Sequence, residues 1–340
     1  MRTFRSASRR EVLIGGVALG AAVAAPLVAK GAPKYKLKYA MASRVTNPIG
    51  IRTREAIKRI AEETNGEVEI QFFPNGQLGA EPDVLSQTRS GAVDLFNVST
   101  VILSTVVPKS SISGVGFAFH SYDQVWPAMD GDLGAFIRSE ILKADLVGMS
   151  AIMDFGFRQL TSNSKPIKVP ADLEGFKIRV PFGPLWTSLF NALGASPTTV
   201  NIAEVYSGLR TGLIDGTDLP LLTMQDFKIP EVQKYLSLTS HMWDGPWTLA
   251  NRTMWEALPV PIAQVLEKNF NKAALDQRED VRKFDAEFMA QSKKGGMVIL
   301  EVDGQPFRQK LQAAGFYTDW KSKFGEEPWS ILEKYAGKMA

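Results

Sequence analysis

Residues 155–181 read FGFRQLTSNSKPIKVPADLEGFKIRVP and contain two arginines, Arg158 and Arg179. Within this stretch, residues 176–180 alternate apolar and cationic side chains, which is typical of a β-strand with one buried face. Arg179 then projects from the opposite face, close to the end of the strand. A guanidinium in a cleft can bind a carboxylate through two parallel hydrogen bonds. An arginine on a strand is more often solvated or ion-paired, so the rest of the chain has to decide between the two interpretations.

The chain alternates strand and helix patterns on both sides of this stretch. An apolar run at residues 37–41 precedes Asn47-Pro48, which is a helix N-cap followed by proline at the first helical position. Asn65-Gly66 predicts the end of this helix. Further elements are predicted at about residues 68–73 (strand), 81–90 (helix), 93–98 (strand), 184–193 (helix) and 202–211 (helix). The alternation predicts an α/β fold with largely parallel sheets that are covered by helices.

Two loops follow predicted strands at the edge where α/β sheets bind their ligands. Such ligands lie beyond the carboxyl ends of the strands. The loops at residues 43–47 and 99–100 occupy that edge, so we predict that Asn47 and Ser99 contact a ligand.

A helix of about 30 residues is predicted to start near Pro261 and to end before Gly295. Apolar residues follow helical spacing along it, with a polar gap at residues 277–280. The gap breaks any coiled-coil seam, and the charges of the helix exclude a membrane span. A strut between two lobes fits this helix best.

Residues 1–30 have the features of an export signal. Four arginines precede an apolar run from about Val12 to Ala29, which is too short and too rich in Ala and Gly for a membrane anchor. The segment around Arg9-Arg10 resembles a twin-arginine leader, and an ordinary Sec signal remains the alternative. We expect cleavage between residues 25 and 32.

Charge and composition exclude further classes of protein. The 340 residues include 39 Lys and Arg and 36 Asp and Glu, but four arginines and one glutamate fall within residues 1–29. The mature chain is therefore close to neutral, which argues against nucleic-acid binding, because that needs an excess of Lys and Arg. The chain has 0 Cys, so an exported protein of this sequence is stabilised by its core rather than by disulfides.

No catalytic or cofactor motif is found in the sequence. With only two histidines, His120 and His241, and no cysteine, most zinc sites and all cysteine nucleophiles are excluded. No G-x-S-x-G, Walker or H-E-x-x-H motif is present. A Ser-His-Asp triad is defined by geometry and stays open at this point. The sequence predicts a binding protein rather than an enzyme, without a cofactor or metal.

Five segments of the chain carry a resemblance to a known family. They are PNGQLGAEPDVLSQTRSGAVDLF (74–96), RQLTSN with KPI (158–167), DLEGFKIRV (172–180), AEVY through DG (203–216) and WEALP (255–259). In this order they resemble the solute-binding subunits of TRAP transporters of the DctP type. The resemblance covers nearly the whole mature chain.

The resemblance implies a two-lobed periplasmic binding protein fold of the α/β class. Hinge strands would join the lobes, and the long helix would span both. Lobe I would comprise residues 34–155 with 246–283, and lobe II would comprise residues 156–245 with 284–340.

The resemblance also implies the partners and the ligand contacts. A small-molecule carboxylate would be trapped as the lobes close, with Arg179 making the paired contact and Arg158 a second, more variable contact. The small and large membrane subunits of a TRAP permease are the expected protein partners, and the ion gradient across that permease would supply the energy.

One pair of residues departs from the pattern of the family. The family often has Glu-Asn after Asp-Gly, with the asparagine on the ligand carboxylate, whereas this chain has Asp218-Leu219. The change predicts a ligand with a more apolar body than a sugar acid, namely an aromatic or branched monocarboxylate. Asp218 could instead face a ligand hydroxyl or a cation. Candidate walls of the pocket are Trp186, Trp243, Phe155, Phe157 and Trp247.

The sequence thus predicts a periplasmic receptor, expected to be a monomer, that delivers an organic acid to a TRAP permease. Two alternatives stay open. The protein could serve a sensor or another transporter, or it could be a periplasmic hydrolase or lyase that acts on a carboxylate through Asp218 and His241.

Overall fold

The computed structural model describes residues 32–340, so the predicted export signal at residues 1–30 lies outside the described part of the chain. The strands are β1 (Tyr35–Met41), β2 (Val68–Phe73), β3 (Leu95–Ser99), β4 (Leu146–Gly148), β5 (Gly156–Ser162), β6 (Lys177–Val180), β7 (Ser196–Thr199), β8 (Gly216–Pro220), β9 (Tyr235–Asp244), β10 (Pro246–Asn251) and β11 (Val298–Glu301). The α-helices are α1 (Pro48–Glu63), α2 (Glu81–Ser90), α3 (Thr100–Leu103), α4 (Tyr122–Met129), α5 (Asp132–Lys143), α6 (Pro184–Ala192), α7 (Val205–Thr211), α8 (Leu221–Asp226), α9 (Arg252–Ala257), α10 (Val260–Lys294), α11 (Gln305–Ala313), α12 (Phe316–Phe324) and α13 (Glu326–Ala336). Short 3₁₀ turns lie at Pro108–Gly114, Pro170–Leu173, Ile202–Glu204 and Ile229–Glu231.

The strands form two sheets. The first sheet has the order β2-β1-β3-β10-β4, and the second has the order β11-β9-β5-β8-β6-β7. In the first sheet β1 runs parallel to β2 and β3, while β10 is antiparallel to β3 and β4. In the second sheet β5 is antiparallel to β8 and β9. The expectation of largely parallel sheets was therefore wrong. Each sheet is mixed, because β5 and β10 enter from the other sheet and run against their new neighbours.

The chain passes between the two sheets three times. It crosses after β4, at residues 149–155, and again at Gly245 between β9 and β10. A side chain at Gly245 would lie 2.5 Å from the Met153 carbonyl oxygen and 2.6 Å from the Trp243 ring, so only glycine lets the two crossing segments pass so closely. The third connection is α10, which leads from α9 back to β11. The two-lobed α/β fold with hinge strands and a long shared helix is confirmed.

The long helix α10 has 35 residues, and its limits, Val260 and Lys294, lie within one residue of the predicted ones. It packs against α1 and α8 and ends beside β11. The polar gap faces the first crossing segment: Gln277 donates to the Asp154 carbonyl (2.7 Å) and accepts from the Asp154 amide (2.8 Å). Arg278 donates to the Ile152 carbonyl (3.0 Å). The gap in the apolar stripe is therefore the place where the helix binds the hinge backbone.

Local signals place several helices where the sequence predicts them. Asn47 caps α1 by accepting from the Gly50 amide at 2.8 Å, with proline next in the chain. Gly91 ends α2 with a φ of 83°, a left-handed conformation that glycine adopts without strain. The predicted helix at 202–211 is a 3₁₀ turn followed by α7. These helix ends are set by contacts between residues a few positions apart, which is why the sequence was sufficient to predict them.

The C-terminal helices connect distant parts of the chain. Helix α13 packs on α4 and α5, and α11 and α12 pack on α6.

The predicted lobe limits, 34–155 with 246–283 and 156–245 with 284–340, stay a prediction.

Candidate ligand-binding cleft

A cavity of about 50 Å³ lies between the two sheets, beyond the carboxyl ends of β1, β3, β6, β8 and β9. This is the edge where sheets of this kind bind ligands. The apolar part of its wall includes Val101, Ile102, Phe155, Ile202, Leu219 and Phe227. The cavity adjoins a wider cleft of about 650 Å³, and both are lined by Glu81, Asp226 and Phe227.

Arg179 faces this cavity from the end of β6 and is only 3% exposed. Its Nε donates to the Val200 carbonyl at 2.9 Å. No carboxylate lies within ion-pair distance of this guanidinium among residues 32–340. Burial lowers the pKa of Arg179 to about 10, since removal from water disfavours the charged form. The two terminal nitrogens are therefore donors without an anion.

Arg158 lines the same cavity from β5, but its guanidinium is fully paired. Nε donates to Asp218 Oδ2 at 2.6 Å, Nη2 donates to the Asp218 carbonyl at 2.8 Å, and Nη1 donates to Asp244 Oδ2 at 3.0 Å. The cation also lies 5.7 Å from the centre of the Trp186 ring. Burial acts to lower the pKa of Arg158, but the two carboxylates outweigh it and raise the pKa.

Asp218 does not line the cavity and belongs to a buried chain of polar groups with Arg158 and His241. Burial acts to raise its pKa, but the charge of Arg158 and the hydrogen bonds from His241 and Arg158 together lower it. His241 Nε2 lies 3.4 Å from Asp218 Oδ2, and His241 Nδ1 is paired with Thr239 Oγ1 at 2.7 Å. Burial lowers the pKa of His241, which favours the neutral ring. His241 is thus a packed residue of β9.

Ser99 connects this network to the first sheet. Its hydroxyl lies 3.0 and 2.8 Å from the two oxygens of Asp244, and its oxygen caps α3 by accepting from Val101. Burial raises the pKa of Asp244. Ser99 also lines the cavity. Its hydroxyl is already hydrogen-bonded to the Asp244 carboxylate.

Asn47 and Asp226 join the two sides of the cleft. Asn47 Nδ2 donates to Asp226 Oδ2 at 2.6 Å, and the Arg44 amide donates to the same oxygen at 3.2 Å. Asn47 lies at the start of α1, and Asp226 lies at the end of α8. This contact lies next to the boundary between the cavity and the wider cleft, so it holds the mouth of the cavity closed.

Glu81 is a further wall residue, at the first position of α2. No hydrogen bond to its carboxylate is found in the part of the chain that the structure describes. Burial raises the pKa of Glu81 to about 7, although Arg179 acts in the opposite direction. The Glu81 residue is half-buried by accessible area.

Most of the predicted aromatic walls lie in the core. Trp186 is fully buried and packs against Gly114 and Gly183. Trp243 is 1% exposed, and its indole nitrogen donates to Asp154 at 2.9 Å in the hinge. Trp247 is also fully buried, and Phe157 packs on Tyr122. Phe155 alone among the five predicted aromatics is part of the cavity wall.

Four of the predicted binding residues line the cavity, namely Arg158, Arg179, Ser99 and Leu219. Asp218, Asn47, Trp186 and Trp243 do not form its wall. The binding roles of all eight remain predictions. The sequence did not predict four wall residues, namely Glu81, Asp226, Phe227 and Asp244. Asp244 ends β9, so its place at a strand end was an available signal. Glu81 begins α2, and Asp226 and Phe227 lie at the end of α8, where no strand end marks them.

Within residues 32–340, no group of three or more His, Asp or Glu side chains could hold a metal ion. Over the same residues no helix combines the length and the apolar composition that crossing a membrane requires.

A two-lobed α/β fold with a small cavity between its sheets and an unpaired arginine in the wall defines a solute-binding protein. The family model of the bacterial extracellular solute-binding proteins, family 7, matches residues 39–317, so the chain belongs to this family. This is the DctP family of TRAP solute-binding subunits, so the resemblance found in the sequence is confirmed.

Individual relatives agree with this assignment. A solute-binding protein of Roseobacter denitrificans is 31% identical over 74% of this chain and 77% of its own. Its crystal structure with bound L-galactonate has a TM-score of 0.82 and covers 89% of this chain and 99% of that one, at 28% identity. The 2,3-diketo-L-gulonate-binding periplasmic protein of Escherichia coli is 29% identical over 81% of this chain and 84% of its own. A Bordetella TRAP solute-binding protein, solved with density assigned to pantoate, has a TM-score of 0.83 at 27% identity and covers 90% of this chain and 100% of that one.

Proposed function

We propose that this protein captures an organic acid in the periplasm through Arg179 and delivers it to a TRAP-type permease. The observation that carries the proposal is the state of Arg179: a buried guanidinium with no anionic partner among residues 32–340, at the wall of a cavity between two lobes. Isolated buried charge is costly in free energy. A ligand carboxylate would remove that cost as the cleft closes, and the low dielectric would strengthen the pair.

Arg158 has a supporting role in this proposal. Its charge is already balanced by Asp218 and Asp244, so it adds little net attraction for an anion. It holds the floor of the cavity in place instead. The more variable contact that the family resemblance implies for Arg158 would then be a weak one in this protein.

The ligand that fits best is an acid with a short, branched apolar body. Leu219 stands where the family often has an asparagine donor, and Phe155, Ile202 and Phe227 surround it with apolar surface. Pantoate, assigned in the Bordetella relative, is a branched hydroxy acid of this type.

We infer that the protein is a receptor and not an enzyme. The alternative of a hydrolase or lyase needs a general base at Asp218 or His241. Asp218 is bound by Arg158, and His241 is paired at both ring nitrogens. A mass spectrum of the ligand after incubation with the protein tests this point: a receptor returns the ligand unchanged, and any product contradicts the proposal.

The cellular setting is part of the same proposal. An export signal at residues 1–30, of the twin-arginine type, would bring the mature protein to the periplasm as a monomer. There the small and large membrane subunits of the permease would receive the loaded form. Service to a sensor or another transporter remains the alternative, and the neighbouring genes distinguish the two.

The proposal is tested with a panel of carboxylates. We expect branched or aromatic monocarboxylates to raise the melting temperature of the wild-type protein more than sugar acids or C4-dicarboxylates do. For the best ligand, Arg179→Ala should weaken binding by about 2–5 kcal/mol, as measured by isothermal titration calorimetry. Arg54→Ala, at an exposed position on α1, is the matched control and should bind normally. Unchanged binding by Arg179→Ala would refute the carboxylate role.

A further inference from the structure

We propose that Glu81 is the second recognition group of the cavity and that it binds as a neutral carboxylic acid, donating a hydrogen bond to a hydroxyl or oxo oxygen of the ligand. The inference rests on the proposed function, because it assumes that Arg179 binds the carboxylate. It deepens that function by naming the ligand class as hydroxy or oxo acids.

The position of Glu81 is the first support. The carboxylate lines both the inner cavity and the wider cleft, and it makes no hydrogen bond within residues 32–340. It belongs to α2, which follows the first sheet, whereas Arg179 belongs to β6 of the second sheet. A ligand between them would touch one polar group from each lobe. Such a ligand would join the two lobes, and both polar groups would gain a partner only in the closed, loaded state.

The charges around Glu81 are the second support. It faces Arg179 on β6, Arg158 on β5, and Asp244 at the end of β9. Asp226 on α8 and Arg44 after β1 also line the space near it. Arg158 is neutralised by Asp218 and Asp244, and Asp226 is bound by an amide and Asn47. Arg44 is exposed and lines only the wider cleft, which leaves Arg179 as the buried cation of the inner cavity for an incoming anion.

A charged Glu81 would compete with the ligand for that one cation. An ionised Glu81 and a ligand carboxylate would place two negative charges beside a single free guanidinium in a medium of low dielectric. Protonation of Glu81 removes this repulsion and converts the group into a donor. Burial already raises its pKa to about 7, and the arrival of an anion raises it further.

This arrangement selects for an oxygen acceptor on the ligand. An unsubstituted branched acid would leave the Glu81 hydroxyl unpaired inside the closed cavity, which costs affinity. An acid with a hydroxyl or oxo oxygen accepts the bond. An amino acid carries an ammonium group, which pairs with an ionised Glu81. Binding of an amino acid would therefore not be coupled to the uptake of a proton by Glu81.

The test uses a matched series of four probes: 3-methylbutanoate, 2-hydroxy-3-methylbutanoate, 2-oxo-3-methylbutanoate and valine, with the corresponding phenyl-substituted series alongside. We expect the hydroxy or oxo acid to bind on the order of tenfold more tightly than the unsubstituted acid. Calorimetry in buffers of different ionisation enthalpy should show uptake of about one proton at pH 8. The affinity should fall above pH 7, by up to about tenfold per pH unit.

Two variants separate recognition from folding. Glu81→Gln keeps a donor of similar size, so it should retain the preference for the oxygen-bearing acid but lose the proton uptake and the pH dependence above pH 7. Glu81→Ala should lose the preference as well. Glu81→Ala should bind the unsubstituted acid more tightly than the wild type does, because no unpaired hydroxyl is left in the cavity. Circular dichroism and the urea unfolding midpoint show that both variants are folded.

The outcomes distinguish the two proposals. Equal affinity of the substituted and unsubstituted acids, or proton uptake that persists in Glu81→Gln, overturns the role of Glu81 while binding through Arg179 stands. Tightest binding by valine overturns the neutral form of Glu81. Failure of every probe in both series overturns the ligand class, and loss of the Arg179→Ala effect overturns the proposed function itself.

Discussion

Arg158 and Arg179 are both 3% exposed and both border the same cavity, yet their surroundings differ in kind. Arg158 on β5 makes three hydrogen bonds, two of them to carboxylates. Arg179 on β6 makes one, to a carbonyl. The pKa of the first is raised by its carboxylates, and the pKa of the second is lowered by burial to about 10.

Under the proposed function, the difference separates a structural charge, Arg158, from a binding charge, Arg179. A buried ion pair with complete hydrogen bonds holds its surroundings, and removal of one partner leaves the other uncompensated. A buried cation without an anion destabilises the empty protein and gains its partner from outside. Burial alone does not identify the binding residue; the missing partner does.

The largest expected effect comes from removing the paired arginine. Arg158→Met leaves Asp218 and Asp244 buried without a cation, so we expect the free energy of unfolding to fall by about 3–5 kcal/mol. Urea denaturation measures this. The triple variant Arg158→Met/Asp218→Asn/Asp244→Asn removes the charges together and should recover part of the loss. A change under about 0.5 kcal/mol, as for an exposed surface position, would contradict the structural role.

The comparison extends to a carboxylate without a cation, Asp285 on α10. One of its oxygens is buried without a partner, and burial, together with nearby Asp154, raises its pKa to about 7. The pKa of an aspartate in the unfolded chain is near 4, so between about pH 4 and pH 7 the folded protein binds a proton at Asp285 that the unfolded chain has lost. The free energy of unfolding is therefore highest, as far as Asp285 decides it, below about pH 4. It falls as the pH rises through 7.

Asp285→Asn should raise the free energy of unfolding at pH 8 by about 1–3 kcal/mol and leave it nearly unchanged at pH 4. Denaturation at both pH values measures the difference. Asp319→Asn, at an exposed position on α12, serves as the control. Equal shifts at pH 4 and pH 8 would show that Asp285 is not the titrating group.

The unpaired arginine should behave in the opposite way to the paired one. Arg179→Met is expected to leave the ligand-free protein as stable as the wild type, or to stabilise it by about 1–2 kcal/mol, because an uncompensated buried charge is removed. Thermal and urea unfolding of ligand-free samples test this. A loss as large as that of Arg158→Met would mean that Arg179 has an anionic partner within the protein.

The smallest effect concerns closure of the cavity that surrounds Arg179. Asn47→Asp keeps the oxygen that caps α1 but replaces the donor to Asp226 with a like charge. We expect ligand affinity to fall about three- to tenfold, close to the worth of one hydrogen bond, mainly through faster dissociation. The double variant Asn47→Asp/Asp226→Asn restores a donor and an acceptor and should recover the wild-type rate. Stopped-flow dissociation measures both.

Local sequence signals predicted much of the fold. Asn47-Pro48 and Gly91 set helix ends through contacts with residues a few positions away. The strand that carries Arg179 was predicted one residue too long, whereas both limits of the long helix were predicted to within one residue. The mixed direction of both sheets was missed, because it depends on strands that arrive from the other lobe.

The site was only partly predictable for the same reason. Arg158, Arg179, Ser99 and Leu219 reach the cavity wall as their strand ends suggested. Trp186 and Trp243 lie in the core instead, since an aromatic residue in a pattern of this kind has no signal that separates a pocket wall from a packed interior.

By itself the sequence determined most elements, their order and the family, because each depends on short-range patterns or motifs. Only the tertiary structure decided which of the two arginines has a carboxylate partner and that Glu81 and Arg179 line the same cavity. Arg158 and Asp218 lie 60 positions apart along the chain, and Glu81 and Arg179 lie 98 positions apart. The energy of a buried charge depends on every group around it, and those groups come together only when the chain has folded.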